Sequence, residues 1–251
     1  RRTEGGEGGM AMAGRVVLIT GGSRGIGAAA ARRFAAGGDK VVVNYCRCRA
    51  QAETLAAEIG GWAVEGDVSD PVQVRSMVDN VLEKFCQLDI LICNAGIAQQ
   101  KLFGDLTDED WRRMFAVNVD GMFYAIRAAL PHFIHRKAGR ILTLSSMWGQ
   151  VGGSCEVAYS AAKAAVIGLT KALAKELGPS GITVNCVSPG VIDTEMNANL
   201  GPEDLAALAE ETPLGRVGRP EDVAEALWYL ASDAAGFVTG QVLAPNGGLI
   251  I

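Results

Sequence analysis

The sequence predicts an α/β fold: a single doubly wound parallel sheet of about seven strands with helices on both faces. Three observations predict it. Short β-branched runs alternate with amphipathic helical segments along nearly the whole chain. Several of the runs are apolar throughout, as strands covered on both faces must be. A glycine-rich turn joins the first run directly to the first helix.

The elements follow in order. VVLIT (16–20), VVVNY (41–45), DILICNA (89–95), GRILTLSS (139–146) and GITVNCVSP (181–189) read as strands; WAVEGD (62–67) is a weaker one and GQVLAPNGG (240–248) a last one. Helices are expected over 25–37, 49–59, 71–86, 108–136, 157–177 and 220–232. Pro71 and Pro220 stand at helix starts, which proline tolerates. Pro131 falls inside the fourth helix, where it should kink or divide it. Residues 1–13, Gly-rich and charged without periodicity, read as a flexible leader or tag. Residues 14–251 read as one domain, with no linker and no repeat.

The 251 residues allow an ample core, and the net charge of −5 gives no electrostatic footprint for nucleic acid or an anionic membrane. No apolar segment approaches the ~20 residues needed to cross a bilayer. The six cysteines form no C-x-x-C pair, which argues against zinc or a disulfide framework; Cys93 and Cys186, in apolar runs, are expected in the core. No metal site is expected, and the cytoplasm is the expected location.

In VVLITGGSRGIGAAAARRF, Gly21, Gly25 and Gly27 are spaced G-x-x-x-G-x-G. That differs from G-x-G-x-x-G, but the physics is shared. Glycine lets backbone approach a pyrophosphate, and the helix that follows presents free N–H groups and a positive dipole end. Ser23, Arg24 and Ile26 belong to the same turn. A site for NAD usually has Asp or Glu at the end of the second strand; here the strand ends Asn44-Tyr45-Cys46-Arg47. Arg24 and Arg47 can instead pair with a 2′-phosphate, so NADP(H) is the expected cofactor.

The segment SCEVAYSAAK raises the question of chemistry. Tyr159 and Lys163, four apart, share one helix face, with Glu156 three residues before the phenol. Taken singly they read as surface helix residues, and Ser146 as a strand-end turn former. Together with TGGSRGIG (20–27), CNAG (93–96), Asn118 in AVNVDG and SPGVIDT (188–194), they make the chain resemble the short-chain dehydrogenase/reductase family over nearly everything from Gly14 onward.

The resemblance implies a Rossmann-type sheet and a hydride transfer between NADP(H) and a carbonyl or secondary alcohol. It implies Asn118, Ser146, Tyr159 and Lys163 as the catalytic set. Tyr159 would exchange a proton with the substrate oxygen, Ser146 would orient that oxygen, and Lys163 would lower the phenol's pKa and hold the nicotinamide ribose. Asn118 would support a water chain to the lysine. Gly21, Ser23, Arg24, Gly25, Ile26, Gly27, Asn44, Tyr45 and Arg47 would meet the nucleotide from one side. Asp67 and Val68 would meet adenine, and Asn94, Ala95 and Gly96 the adenosine ribose. Pro189, Gly190, Ile192 and Thr194 would grip the nicotinamide amide and phosphates. A homotetramer built on the two long helices and the last strand, and a lid over 195–212 with a helix at 202–210, are likewise family expectations.

For the substrate, GRVGRPEDVAEALWYLAS and the NGG ending are most similar to bacterial 3-oxoacyl-[acyl-carrier-protein] reductases. His135-Arg136-Lys137 could offer a basic surface to an acidic carrier, or could simply answer the dipole of their own helix. Glu156 departs from that pattern, since those enzymes have a neutral amide there. A carboxylate suits a cationic substrate group, and Trp148 could add an aromatic face. SSMWGQVGGSCEVAYSAAK resembles reductases of 5-aminopentanone-modified elongation factor P, which supplies the alternative of an amine-bearing ketone. A third alternative is a non-catalytic NADP(H)-binding regulator on the same fold.

Overall fold

The computed structural model describes residues 14–197 and 201–251. The leader expected over 1–13, and residues 198–200 within the expected lid, lie outside the described residues.

Seven strands form one wholly parallel sheet in the order β3-β2-β1-β4-β5-β6-β7. They are β1 (Val16–Ile19), β2 (Lys40–Tyr45), β3 (Trp62–Glu65), β4 (Ile90–Cys93), β5 (Gly139–Leu144), β6 (Ile182–Val187) and β7 (Val242–Leu243). The helices are α1 (Gly25–Ala36), α2 (Arg49–Glu58), α3 (Pro71–Phe85), α4 (Asp108–Phe115), α5 (Gly121–Arg136), α6 (Trp148–Val151), α7 (Val157–Leu177), α8 (Pro202–Glu211) and α9 (Pro220–Ala231).

The continuous apolar runs are explained by two buried layers, because successive strand side chains leave the sheet on opposite faces. Val17, Ile19, Val41, Val43, Ile90 and Ile92 pack on one face with α1, α2 and α9, through Phe34, Leu55, Leu227 and Leu230. Val16, Leu18, Val42, Leu91, Ile141 and Val184 pack on the other with α3, α5 and α7, through Met77, Val78, Ile126, Phe133 and Val166. Cys93 and Cys186 are buried, as expected. The run Ala28–Ala31 is wholly buried, so α1 lies close to the sheet and to α9.

β1 pairs with β2 on one side and β4 on the other, with Val17 opposite both Val41 and Ile90. Chain order reverses here, so the crevice beyond the carboxyl ends of β1 and β4 is the place where such sheets take ligands.

Two expectations need correction. Of the kink or division expected at Pro131, the division does not occur, because the residue lies inside α5. The irregularity falls instead at Ala116–Asp120, a π-helical turn joining α4 to α5, and Asn118 sits in it. Such turns widen a helix locally and recur where a side chain is re-aimed for function. Second, Val157–Ser180 is, by length and mean hydropathy (1.2), compatible with a membrane span, contrary to the sequence reading. In the fold this helix packs along β5, β6 and α6.

Candidate active site

The glycine turn is fixed by its neighbours rather than by its own residues. The Gly21 N–H donates to Asn44 Oδ1 (3.1 Å), and the Gly22 N–H to the Asn44 carbonyl (2.9 Å). Asn94 Nδ2 donates to the carbonyls of Thr20 (3.0 Å) and Gly21 (2.9 Å). Thr20 Oγ1 in turn accepts from the Asn94 and Ala95 N–H groups at 3.0 and 3.1 Å. Thr20 was not singled out from the sequence; its signal is a hydroxyl closing an apolar strand, buried at 2% exposure.

Gly21 has φ of +60°, and a Cβ there would stand 2.8 Å from Ala95 Cα; a Cβ on Gly27 would stand 2.6 Å from Asn94 Nδ2. Both glycines are therefore demanded by the close approach of the turn to the end of β4. At the start of α1, Arg24 makes no side-chain cap and the first turn holds no acidic residue. That leaves the dipole end and its N–H groups suited to an anion, which is the fit a dinucleotide pyrophosphate requires.

Around the adenosine end, Asn44 is buried and its amide is spent on backbone, on the Gly66 carbonyl (3.0 Å) as well as Gly21, so it braces the turn. Tyr45 is buried too, with its hydroxyl 3.5 Å from Glu65 Oε2. Asp67 Oδ1 accepts from the Ser69 hydroxyl (2.7 Å) and N–H (2.9 Å). Those bonds, helped by the nearby Arg47, hold its carboxyl below the usual range. Val68 is buried and packs where a Cβ on Gly121 would clash. Arg24 Nη1 pairs with Glu195 Oε2 at 2.7 Å.

β6 runs into the expected nicotinamide segment. Pro189 is buried and its carbonyl accepts from the Met147 N–H (2.9 Å), while the Gly190 N–H donates to the Pro245 carbonyl (3.2 Å). Ile192 is buried, and Thr194 presents its methyl to Gly25.

The proposed catalytic residues converge at the carboxyl ends of β4 and β5. Asn118 is fully buried; its Nδ2 donates to the Ile97 and Met114 carbonyls (both 3.0 Å), and its Oδ1 accepts from the Ile97 N–H (3.3 Å). Lys163 Nζ donates to the Leu144 carbonyl (2.9 Å) and lies 5.5 Å from the Tyr159 ring centre. A Cβ on Gly96 would stand 2.7 Å from Asn118 Oδ1 and 3.3 Å from Lys163 Nζ, so these two polar groups meet over that glycine. Ser146 Oγ accepts from the Trp148 N–H (3.2 Å), and its hydroxyl lies near enough to the Tyr159 phenol to favour the phenolate.

The electrostatics correct one expectation. Tyr159 is pushed up to about 12, first by burial and then by Glu156, with the Ser146 hydrogen bond opposing. The expected lowering by Lys163 is not the controlling influence. Burial takes Lys163 itself down to about 8, because an ammonium withdrawn from water loses hydration that one carbonyl does not replace.

Beside the phenol, Ile97, Leu106, Phe115 and Trp148 pack on Met114, Ala158 and Tyr159 as a separate apolar cluster. Trp148 thus belongs to a hydrophobic wall. Glu156 lies at the start of α7, where its Oε1 accepts from Gln100 Nε2 (3.4 Å) and its Oε2 is buried without a hydrogen-bond partner. Burial raises its pKa.

His135–Lys137 do not flank this site. They precede β5, at the opposite end of the strands, and Arg136 is engaged with Asp89 at 3.0 Å. His132, given no chemical role from the sequence, accepts the Leu88 N–H at Nε2 (3.1 Å) and is a structural brace. Among the described residues no cluster of His, Cys, Asp or Glu could hold a metal ion.

A family model described as enoyl-(acyl carrier protein) reductase matches residues 21–250. The chain is 41% identical over 247 residues to a 3-oxoacyl-[acyl-carrier-protein] reductase of Synechocystis, covering 96% of this chain and 99% of that one. Relatives with the same description from Staphylococcus aureus (38%; 92% and 96% covered) and Escherichia coli (36%; 94% and 97% covered) also match. With the parallel sheet, the glycine turn at its switch point and the Ser146–Tyr159–Lys163 grouping, these matches place the chain in the short-chain dehydrogenase/reductase family, oxidoreductases that act on a CH–OH or carbonyl group with a nicotinamide cofactor.

Proposed function

We propose that the protein is an NADP(H)-dependent ketone reductase acting on 3-oxoacyl groups carried by an acyl carrier protein. The observation that carries this reading is the buried Tyr159 phenol beside Ser146, next to a lysine and an asparagine that meet over Gly96. The relatives' names support the substrate class. So does the apolar wall of Ile97, Leu106, Phe115 and Trp148 beside the phenol, which suits an uncharged acyl chain.

NADPH, when bound, supplies hydride to the substrate's carbonyl carbon. Its pyrophosphate fits the uncapped start of α1, and Arg24 and Arg47 supply cations for a 2′-phosphate where the family's NAD-type carboxylate is missing. The chain's own residues do the rest. Ser146 donates to the ketone oxygen and holds it against Tyr159. Tyr159, with a pKa near 12, is almost wholly protonated at neutral pH and gives its proton to that oxygen as negative charge develops there. Lys163 and Asn118 supply the polar groups through which the phenol recovers a proton.

One observation favours a second substrate. The buried Glu156 Oε2 lacks a partner, a costly arrangement that a substrate ammonium would relieve. An amine-bearing ketone, as in 5-aminopentanone-modified elongation factor P, would supply it. The experiment is to follow NADPH consumption with an acetoacetyl thioester and with an amino-ketone peptide. Turnover of the thioester, with Glu156→Gln neutral or beneficial, supports the first reading. Preference for the amino-ketone, lost in Glu156→Gln, replaces it with the second. No turnover of either would refute both. The family resemblance also leads us to propose a homotetramer, which sedimentation would test.

A further inference from the structure

Arg24 already holds an anion. Its Nη1 stands 2.7 Å from Glu195 Oε2, and both side chains keep 57% of their exposure, so the partnership can be exchanged without dismantling the core. The carboxylate is not on a free strand of chain. Ile192, three residues earlier, is buried and bridged to Gly218. Asn197 closes the turn from the other side, through Nδ2 to the Ile192 carbonyl (2.8 Å) and its N–H to the Thr194 carbonyl (2.9 Å). Thr194 itself rests against Gly25. Glu195 is thus delivered to Arg24 by a fixed root. A cavity of about 540 Å³ between α1 and α2 opens beside the pair, and Arg24, Glu195, Ser23 and Gln51 all line it.

We propose that Glu195 competes for Arg24 with the anion that Arg24 reads, so that the 2′-phosphate of NADP(H) binds by displacing a carboxylate of the segment that follows β6. This rests on the NADP(H) reading above. A dianionic phosphate outbids a carboxylate for a guanidinium, so exchange runs in the phosphate's favour while lowering its apparent affinity. The exchange frees the Glu195 carboxylate alone, since the turn that carries it keeps its own bonds to Ile192 and Thr194. NADH, lacking the phosphate, leaves the pair in place.

Titrations of the full chain with NADPH, NADH, 2′,5′-ADP and 5′-ADP test this. Glu195→Gln should bind NADPH and 2′,5′-ADP roughly two- to five-fold tighter, the range an exposed ion pair allows, and leave NADH and 5′-ADP unchanged. Glu195→Asp, with a shorter reach, should fall between. If Glu195→Gln leaves NADPH affinity unchanged, weakens it, or shifts NADPH and NADH equally, the inference is wrong. Arg24→Ala separates the two claims. Loss of NADPH preference in Arg24→Ala, with no effect of Glu195→Gln, removes only the competitor. Retention of that preference in Arg24→Ala removes Arg24 as phosphate reader, and the competitor with it.

Discussion

Replacing Lys163 by Met should make the protein more stable and nearly inactive. Lys163 is 4% exposed, and burial brings its ammonium from 10.5 to about 8. Holding the charged form there below pH 8 costs about 3 kcal/mol, at ~1.4 kcal/mol per pKa unit. Methionine has a similar length and no charge. It removes that cost but strips the Leu144 carbonyl of its donor, which returns ~1–2 kcal/mol. The net gain of about 1–2 kcal/mol corresponds to about 2–8 °C in Tm for a chain of this size. The sign with pH is fixed. Between pH 8 and 10.5 the unfolded lysine is protonated and the folded one is not, so the native protein gains stability with rising pH and the advantage of Met shrinks. Thermal melts of both proteins from pH 7 to 10, paired with NADPH-linked turnover, measure all of this. A variant less stable than the parent at pH 7, or one whose advantage does not shrink toward pH 10, would refute a buried charge paying a net desolvation penalty.

Tyr159→Phe should retain the fold and lose at least ~10²-fold in kcat, the low end of general-acid contributions, while cofactor affinity measured by titration holds. Gly96→Ala drives a methyl to 2.7 Å from Asn118 Oδ1; displacing Asn118 and Lys163 should cost ~10-fold or more in kcat, with Tm falling modestly. His132 is held neutral by burial and by Arg136, so its folded pKa lies below 6.5 and the unfolded chain takes up its proton first as pH falls. Stability should therefore decline with acidification below pH 6.5, and His132→Gln, which keeps an acceptor for the Leu88 N–H, should flatten that part of the melt-versus-pH curve.

Much of the architecture could be read from local pattern. Runs such as VVLI and VVVNY announce buried parallel strands because both faces are apolar, and α7 begins and ends where the sequence places it. The break near Asn118 could not be read this way. Pro131 carries the strongest helix-breaking signal in that stretch, yet the widened turn falls at 116–120, where the chain must pass from α4 to α5 around Met114 and Ile97. The basic triplet His135–Lys137 was legible as charge and as a segment preceding β5; that the site gathers at the opposite, carboxyl ends of the strands is what the fold adds. Trp148, read from the sequence as an aromatic near Ser146, packs in the fold with Met114, Ala158 and Tyr159.

By itself the sequence determined the parallel sheet and the glycine turn that opens α1, and it singled out the residues proposed to carry the chemistry. Those depend on side-chain alternation and on φ angles open only to glycine, both of which are local. The tertiary structure decided the ionisation of those residues. Whether Lys163 acidifies Tyr159, whether Glu156 finds a donor, and which anion Arg24 holds depend on how much water remains around each group and what stands within ~3 Å of it, and residues distant in sequence set both.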